Sequence, residues 1–344
     1  MAGLTAYKCN SRQIREFIID VVSVGLVPFI RSSPGMGKSS IVRSVNNEYD
    51  MELIDHRLST SAPEDLTGLP HFDNGKASFA PFDIFPTKTT PLVQDKNGWF
   101  LFLDEFNSAP KSVQAAAYKL ILDRKVGQHD LHERVRVVAA GNLDTDRAIV
   151  NPLSTAMMSR LIHLELVLDF DIWMQDVALK DKWDERIIAF LSWLPARLMD
   201  FRPDHNDVTF CCPRTWEFMN KLIKGKEVTQ AKAALYSGTI TSGVATEFIT
   251  FTKIYENLPH IEDIILAPEG ISIPHDRALQ YAVITHIMGK INAQNFEALT
   301  RYVNRFSSEF KVLFFRNVMI HHIDLKGHPA FRAALGELSR WLND

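Results

Sequence analysis

The run Arg31-Ser32-Ser33-Pro34-Gly35-Met36-Gly37-Lys38-Ser39-Ser40 holds the residue types that bind phosphate oxygens. Such oxygens are held by several backbone N–H groups converging on one spot, and a chain wraps that tightly only where glycine removes the side chain. A helix opening at Ser39 adds the positive end of its dipole. Lys38 is placed to reach terminal phosphates, and the Ser39 hydroxyl to ligate Mg2+. The spacing is G-x-x-x-x-G-K-[ST], except that Ser32 stands where the first glycine is expected.

Two further sites carry chemistry. Asp104-Glu105 closes the apolar run Trp99-Phe100-Leu101-Phe102-Leu103, 66 residues after Lys38. Ligands of open α/β sheets sit at the carboxyl ends of strands, so both carboxylates would face the phosphates. There Asp104 would hold Mg2+ and Glu105 would orient and deprotonate a water. Asn142 follows a third apolar run, Val135 to Ala140, where its amide could position that water. An Asn after Gly is also a common turn residue.

The elements that must place these groups can be read from the pattern. Ile14 to Val24 has helical spacing, Val27 to Ile30 is a short strand, and Trp99 to Leu103 and Val135 to Ala140 suit strands buried on both faces. Pro110 begins a helix through about Arg124. The expected fold is α/β, a central parallel sheet flanked by helices, followed by an all-helical domain. The boundary is expected near 165–185, giving a core over 1–170 and a helical region over 171–344. Two inserts read as hairpins, at about 60–86 and 125–137. The first turns at Asn74-Gly75, a strong two-residue turn signal, and the second has Gln128, His129 and Asp130 at its tip. In the helical region Phe190, Trp193, Trp216 and Phe218 read as core aromatics, and His321-His322 as a solvated or core pair rather than a metal site.

Composition narrows the class. Of 344 residues, 46% are hydrophobic and 23% charged, the balance of a globular protein with a well-filled core. The net charge of −3 provides no overall basic field for nucleic acid. Cys9, Cys211 and Cys212 have no metal-site spacing, and adjacent cysteines rarely bridge, so reduced thiols are expected. Arg15, Glu16 and Asp20 interrupt the first apolar stretch, which excludes a secretory signal or membrane span there. The expected setting is the cytoplasm of a bacterium or of a phage-infected host.

Taken in order, these motifs resemble the AAA+ ATPases: Walker A over Ser32–Ser39, Walker B over Phe100–Glu105, sensor 1 at Asn142. More narrowly, the chain is similar to the MoxR family, in the clade with a hairpin inside helix 2 and another before sensor 1. Ala62 to Gly68 is similar to the entry of the helix-2 insert, and Gln114 to Gly127 to the approach to the second hairpin. Asn151 to Leu161 matches the stretch that ends in an arginine finger, and Cys212-Pro213-Arg214-Thr215 the sensor 2 motif. The resemblance spans about residues 5 to 225.

The resemblance implies ATP and Mg2+ as cofactors and a ring homo-oligomer, most often a hexamer. It also implies that Arg160 acts in trans on the transferring phosphoryl group, and that Arg214 contacts the γ-phosphate in cis or in trans. The leading expectation is remodelling of a protein client, with a von Willebrand factor A-domain partner. A nucleic-acid motor in replication or packaging is the alternative; the tips Asp73-Asn74-Gly75-Lys76 and Gln128-His129-Asp130 are neutral to acidic, which favours the protein client. A non-hydrolysing scaffold has no use for Glu105, Asn142 and Arg160 together.

Overall fold

The computed structural model describes residues 8–146, 150–254 and 258–342. Residues 5–7, where the family resemblance begins, and the Asp73 side chain at the first hairpin tip lie outside the described residues. The chain divides into two compact units, Met1–Leu168 and Asp169–Asp344.

The strands of the first unit are β1 (Lys8–Cys9), β2 (Val27–Ser32), β3 (Glu52–Arg57), β4 (Leu69–Asp73), β5 (Lys76–Ala80), β6 (Trp99–Asp104), β7 (Lys125–Val126), β8 (His129–Asp130), β9 (Val135–Asn142) and β10 (Leu161–Leu166). Its helices are α1 (Ser11–Ser23), α2 (Lys38–Glu48), α3 (Pro63–Thr67), α4 (Lys111–Leu122) and α5 (Thr155–Met158). Six strands form one sheet in the order β1-β10-β2-β9-β6-β3. Every pair in it is parallel. All the carboxyl ends therefore lie along one edge.

The continuous apolar runs follow from burial of both faces. Leu101 and Leu103 of β6 enter one core with Phe29, Val137 and Ala139, covered by Val113 and Ala117 of α4. Phe100 and Phe102 alternate to the opposite core with Ile30, Val138 and Ala140, covered by Ile14 and Ile18 of α1 and by Val42 and Val45 of α2. Each such side chain contributes about 1.5–3 kcal/mol by leaving water. α1 starts at a reciprocal cap: Gln13 N–H donates to Asn10 Oδ1 at 2.9 Å and Asn10 N–H to Gln13 Oε1 at 3.0 Å.

Two antiparallel hairpins stand apart from this sheet. β4 and β5 flank Asn74-Gly75, with Pro70 opposite Phe79 and Phe72 opposite Ala77. β7 and β8 are two residues each, with Lys125 opposite Asp130 and Val126 opposite His129. His129 and Asp130 thus belong to the return arm rather than the tip. Gly127-Gln128 is a two-residue turn, so pairing resumes one position sooner than the sequence suggests.

The second unit is helical among its described residues. Its aromatic core gathers Phe190 with Trp216, Phe248 and Phe251 at ring-centroid distances of 5.7, 5.3 and 5.5 Å. Trp193 stacks on Phe251 at 5.6 Å. Phe218 is not part of it, being 47% exposed. Helix Pro213–Ile223 buries Trp216, Met219, Asn220 and Ile223, spaced i, i+3, i+4, i+7, and Phe218 falls off that stripe. Phe248 and Phe251 take its place. Cys211 and Cys212 are buried free thiols. Burial pushes the Cys211 thiol up to about 12, and its S–H donates to the Ile240 carbonyl at 2.9 Å. Among the described residues no helix is long and apolar enough to cross a membrane.

Candidate functional site

β2 delivers the chain to the carboxyl edge at Ser32, and Ser33, Pro34, Gly35, Met36 and Gly37 form the loop that leads into α2. Gly35 and Gly37 have φ of 75° and 91°, a region that side chains strain to enter. A Cβ at Gly37 would project into open space, so the backbone here faces room for a ligand. Gly37 caps α2 with no side-chain hydrogen bond. The first turn of α2, with the N–H groups of Ser39 and Ser40, therefore opens towards an anion.

Ser32 shows why the first position of the motif tolerates a side chain. It is fully buried, and it is absent from the residues with positive φ, so nothing in its backbone requires glycine. Its hydroxyl donates to the Ser33 carbonyl at 2.9 Å and accepts from Lys38 Nζ at 2.9 Å. The ammonium also donates to the Ser32 carbonyl at 3.2 Å. Lys38 is thus folded back over its own loop.

The Ser39 hydroxyl donates to Asp104 Oδ2 at 3.4 Å, which brings the two residues expected at the metal together. They are a hydroxyl and a carboxylate, the hard oxygen donors that Mg2+ prefers, beside a loop shaped for phosphate. The donor set fits that ion.

Glu105 sits just beyond the end of β6 in the left-handed region, φ 54°. Its carboxylate accepts the Ser59 hydroxyl and lies 3.6 Å from Arg57 Nε. Both partners come from the end of β3 and the turn after it. The side chain is close to Asp104, whose Oδ1 accepts the Glu105 N–H at 2.8 Å, yet it is engaged elsewhere.

Asn142 ends β9, directly beside Ser32 in the parallel register. Its carboxamide has no hydrogen-bond partner among the described residues. Its backbone is held by Asn107, a residue that sequence reasoning passed over. Asn107 lies in the short turn Phe106–Ser108 and is 3% exposed. Gln114 and Asn151 were likewise missed as a set: Gln114 Nε2 donates to the carbonyls of Ala109 and Asn151 at 3.1 Å, and Asn151 Nδ2 to Ala109 at 2.9 Å. Polar residues near an acid strand gave no signal of their own. Only the shared partners reveal the network.

Arg160 is placed elsewhere. It immediately precedes β10, whose Leu161 pairs with Val27 at the start of β2. Ser32 lies five residues further along β2, roughly 16 Å at the rise of a strand. Arg160 is exposed, donates to the Ala156 carbonyl at 2.6 Å, and lies over the Tyr118 ring of α4 at 5.3 Å from its centroid. Arg214 belongs to the second unit, exposed in the first turn of helix Pro213–Ile223.

Asp130 is paired with both Lys88 and Lys125 at 2.9 Å. Their hydrogen bonds hold its carboxyl down to about 2. Both lysines lie outside the segment Gln128 to Asp130. On the other hairpin Leu69, Phe72 and Phe79 are 51%, 76% and 40% exposed.

No curated protein matches the sequence. Among solved structures, a candidate ATPase from Cytophaga hutchinsonii is similar at 14% identity and a TM-score of 0.37, covering 95% of this chain and 88% of that one. A variant of RuvB from Thermotoga maritima is similar at 15% identity and a TM-score of 0.33, covering 96% and 83%. Residues 33–161 match the family model described as AAA domain (dynein-related subfamily). With its six-stranded parallel sheet, phosphate loop and acid strand, the first unit is an AAA+ P-loop fold.

Proposed function

We propose that this chain is a Mg2+-dependent ATP hydrolase that works as a ring-shaped homo-oligomer, a hexamer of the MoxR type, and uses turnover to remodel a protein client. The observation that carries the reading is the division of the candidate machinery between the two ends of one sheet. Lys38, Ser39, Asp104, Glu105 and Asn142 meet at the carboxyl edge, while Arg160 stands at the other end of β2.

The phosphates of ATP are received by the N–H groups of the loop and of α2. Lys38 exchanges the Ser32 hydroxyl and carbonyl for the β- and γ-phosphate oxygens. Ser39 and Asp104 would hold Mg2+, and the ion when bound would offset charge on the phosphates. Glu105 turns from Ser59 and Arg57 towards the attacking water and accepts its proton. The water oxygen bonds to the γ-phosphorus as the bond to the β-phosphate bridging oxygen breaks. Asn142 orients that water through its carboxamide. Arg160 of one copy is offered to the phosphoryl oxygens in the next copy, where a guanidinium stabilises developing charge. The family resemblance assigns Arg214 a γ-phosphate contact, in cis or in trans.

The aromatic surface of the β4–β5 hairpin supports a protein client, recruited by a von Willebrand factor A-domain partner in the cytoplasm. A second reading, a nucleic-acid-associated motor, has one observation in its favour: Lys88 and Lys125 stand beside the single carboxylate of β8.

The test is Mg2+-ATP hydrolysis measured against protein concentration, with and without DNA. Specific activity that rises with concentration and vanishes with EDTA supports the ring hydrolase. Activity independent of concentration removes the ring. Stimulation by DNA replaces the protein client with nucleic acid.

A further inference from the structure

We propose that Asn107 is a positioning residue that fixes Asn142 for the reaction. The inference rests on the reading of the carboxyl edge as an ATP-hydrolysing site. β9 runs on past the end of β6: Leu103 pairs with Ala139, β6 ends at Asp104, and β9 continues to Asn142. The backbone of Asn142 therefore needs partners on that side from something other than a strand. Asn107 supplies both. Its Nδ2 donates to the Asn142 carbonyl at 2.8 Å and its Oδ1 accepts the Asn142 N–H at 3.0 Å. One carboxamide thus grips both polar groups of a single residue and sets the plane from which the Asn142 side chain departs.

The grip depends on Gly141. A Cβ there would lie 2.1 Å from Asn107 Oδ1 and 2.8 Å from its Cγ, so no larger residue permits this approach. Asn107 is itself anchored. It follows Glu105 by two residues, and its own carbonyl accepts the Asn151 N–H at 2.7 Å. Asn151 in turn opens the segment that ends at Arg160. The turn after the acid strand, the end of β9 and the head of the Arg160 segment are therefore joined at one buried residue.

An amide is required, because one residue must donate and accept at once. Aspartate has the same shape but sets a second acceptor against the Asn142 carbonyl. In Asn107→Asp, turnover should fall roughly tenfold or more, the size of effect expected when a buried hydrogen bond is broken and a charge is left facing a carbonyl. Binding of a fluorescent ATP analogue should change by less than about twofold, because the bonds of the Asn107 side chain go to Asn142 and not to the loop or α2. Asn107→Ser removes the grip without burying a charge and carries the same test if the Asp variant does not fold.

The double variant Asn107→Asp/Asn142→Ala decides the route of the effect. If Asn107 acts through Asn142, the double variant turns over no more slowly than Asn142→Ala alone. Losses that multiply would overturn the positioning role, as would native turnover in both Asn107 variants while Asn142→Ala is slow. Native turnover in Asn142→Ala itself would instead remove Asn142 from the reaction, and the positioning of it would fall as a consequence.

Discussion

The two ends of the parallel sheet are built for different tasks. At the carboxyl edge each candidate group is held by short-range bonds to its neighbours: Lys38 to Ser32, Ser39 to Asp104, Glu105 to Ser59, Asn142 to Asn107. At the amino end Arg160 is exposed, braced by its own turn and the Tyr118 ring. The first arrangement suits groups that must converge on one ligand. The second suits a group that must be presented outwards. One chain thus carries two unequal parts of the proposed site, and a rigid sheet keeps them apart.

The contrast is broken most severely by removing one group from each end. Lys38→Ala should abolish both ATP-analogue binding and hydrolysis. Arg160→Ala should lower turnover by about 10³-fold or more and leave analogue binding near native, the range expected for an arginine finger. Equilibrium binding beside steady-state hydrolysis separates the two. Equal loss of binding in both variants would dissolve the distinction between the ends.

A smaller effect is expected at the brace of Arg160. Exposed cation–π contacts are worth about 0.5–1 kcal/mol, so Tyr118→Leu should slow turnover about two- to fivefold. Tyr118→Phe, which keeps the ring, should stay near native, and equal losses in the two variants would exclude the ring as the cause. At the opposite end, Ser32→Gly restores the usual first residue of the motif and frees Lys38 from the hydroxyl. ATP-analogue binding should tighten by at most about fivefold, the scale of one net hydrogen bond. Weaker binding would mean that Ser32 helps hold the nucleotide.

The smallest effect concerns the ion pairs at β8. Asp130 has its carboxyl depressed, so its ion pairs contribute above the ordinary value of 3.8 and are lost as pH falls through about 2. Across pH 5 to 8 stability should therefore not vary on its account. Asp130→Asn should leave the melting temperature almost unchanged, since the pairs are exposed. A marked shift would give them a structural role.

How far the sequence reveals this organisation depends on burial. β2, β6 and β9 lie in the middle of the sheet, and their unbroken apolar runs mark them plainly. β3, Glu52-Leu53-Ile54-Asp55-His56-Arg57, is an edge strand with one row of side chains exposed, and its mixed run carries no such mark. The phosphate loop is legible because glycine, lysine and serine must follow in fixed order. Ser32 is a departure at sequence level, and burial beside Lys38 gives it a place. Phe218 misleads because an aromatic near helical spacing looks like core, although two residues from Trp216 put it on another face. Asn107, Gln114 and Asn151 leave no trace, because a network of side chain to backbone bonds has no period. The Arg160 segment is visible by resemblance, but its distance from the phosphate loop follows only from the pairing of Leu161 with Val27.

The most direct test of a site divided between copies is a mixture of Glu105→Gln and Arg160→Ala subunits. Each variant alone places its defect in every interface. Only the mixture can set an intact Glu105 opposite an intact Arg160. Two inactive preparations that regain Mg2+-ATP turnover on mixing are the predicted result. A mixture as inactive as its parts, or an Arg160→Ala protein that hydrolyses ATP at the native rate, would contradict the account.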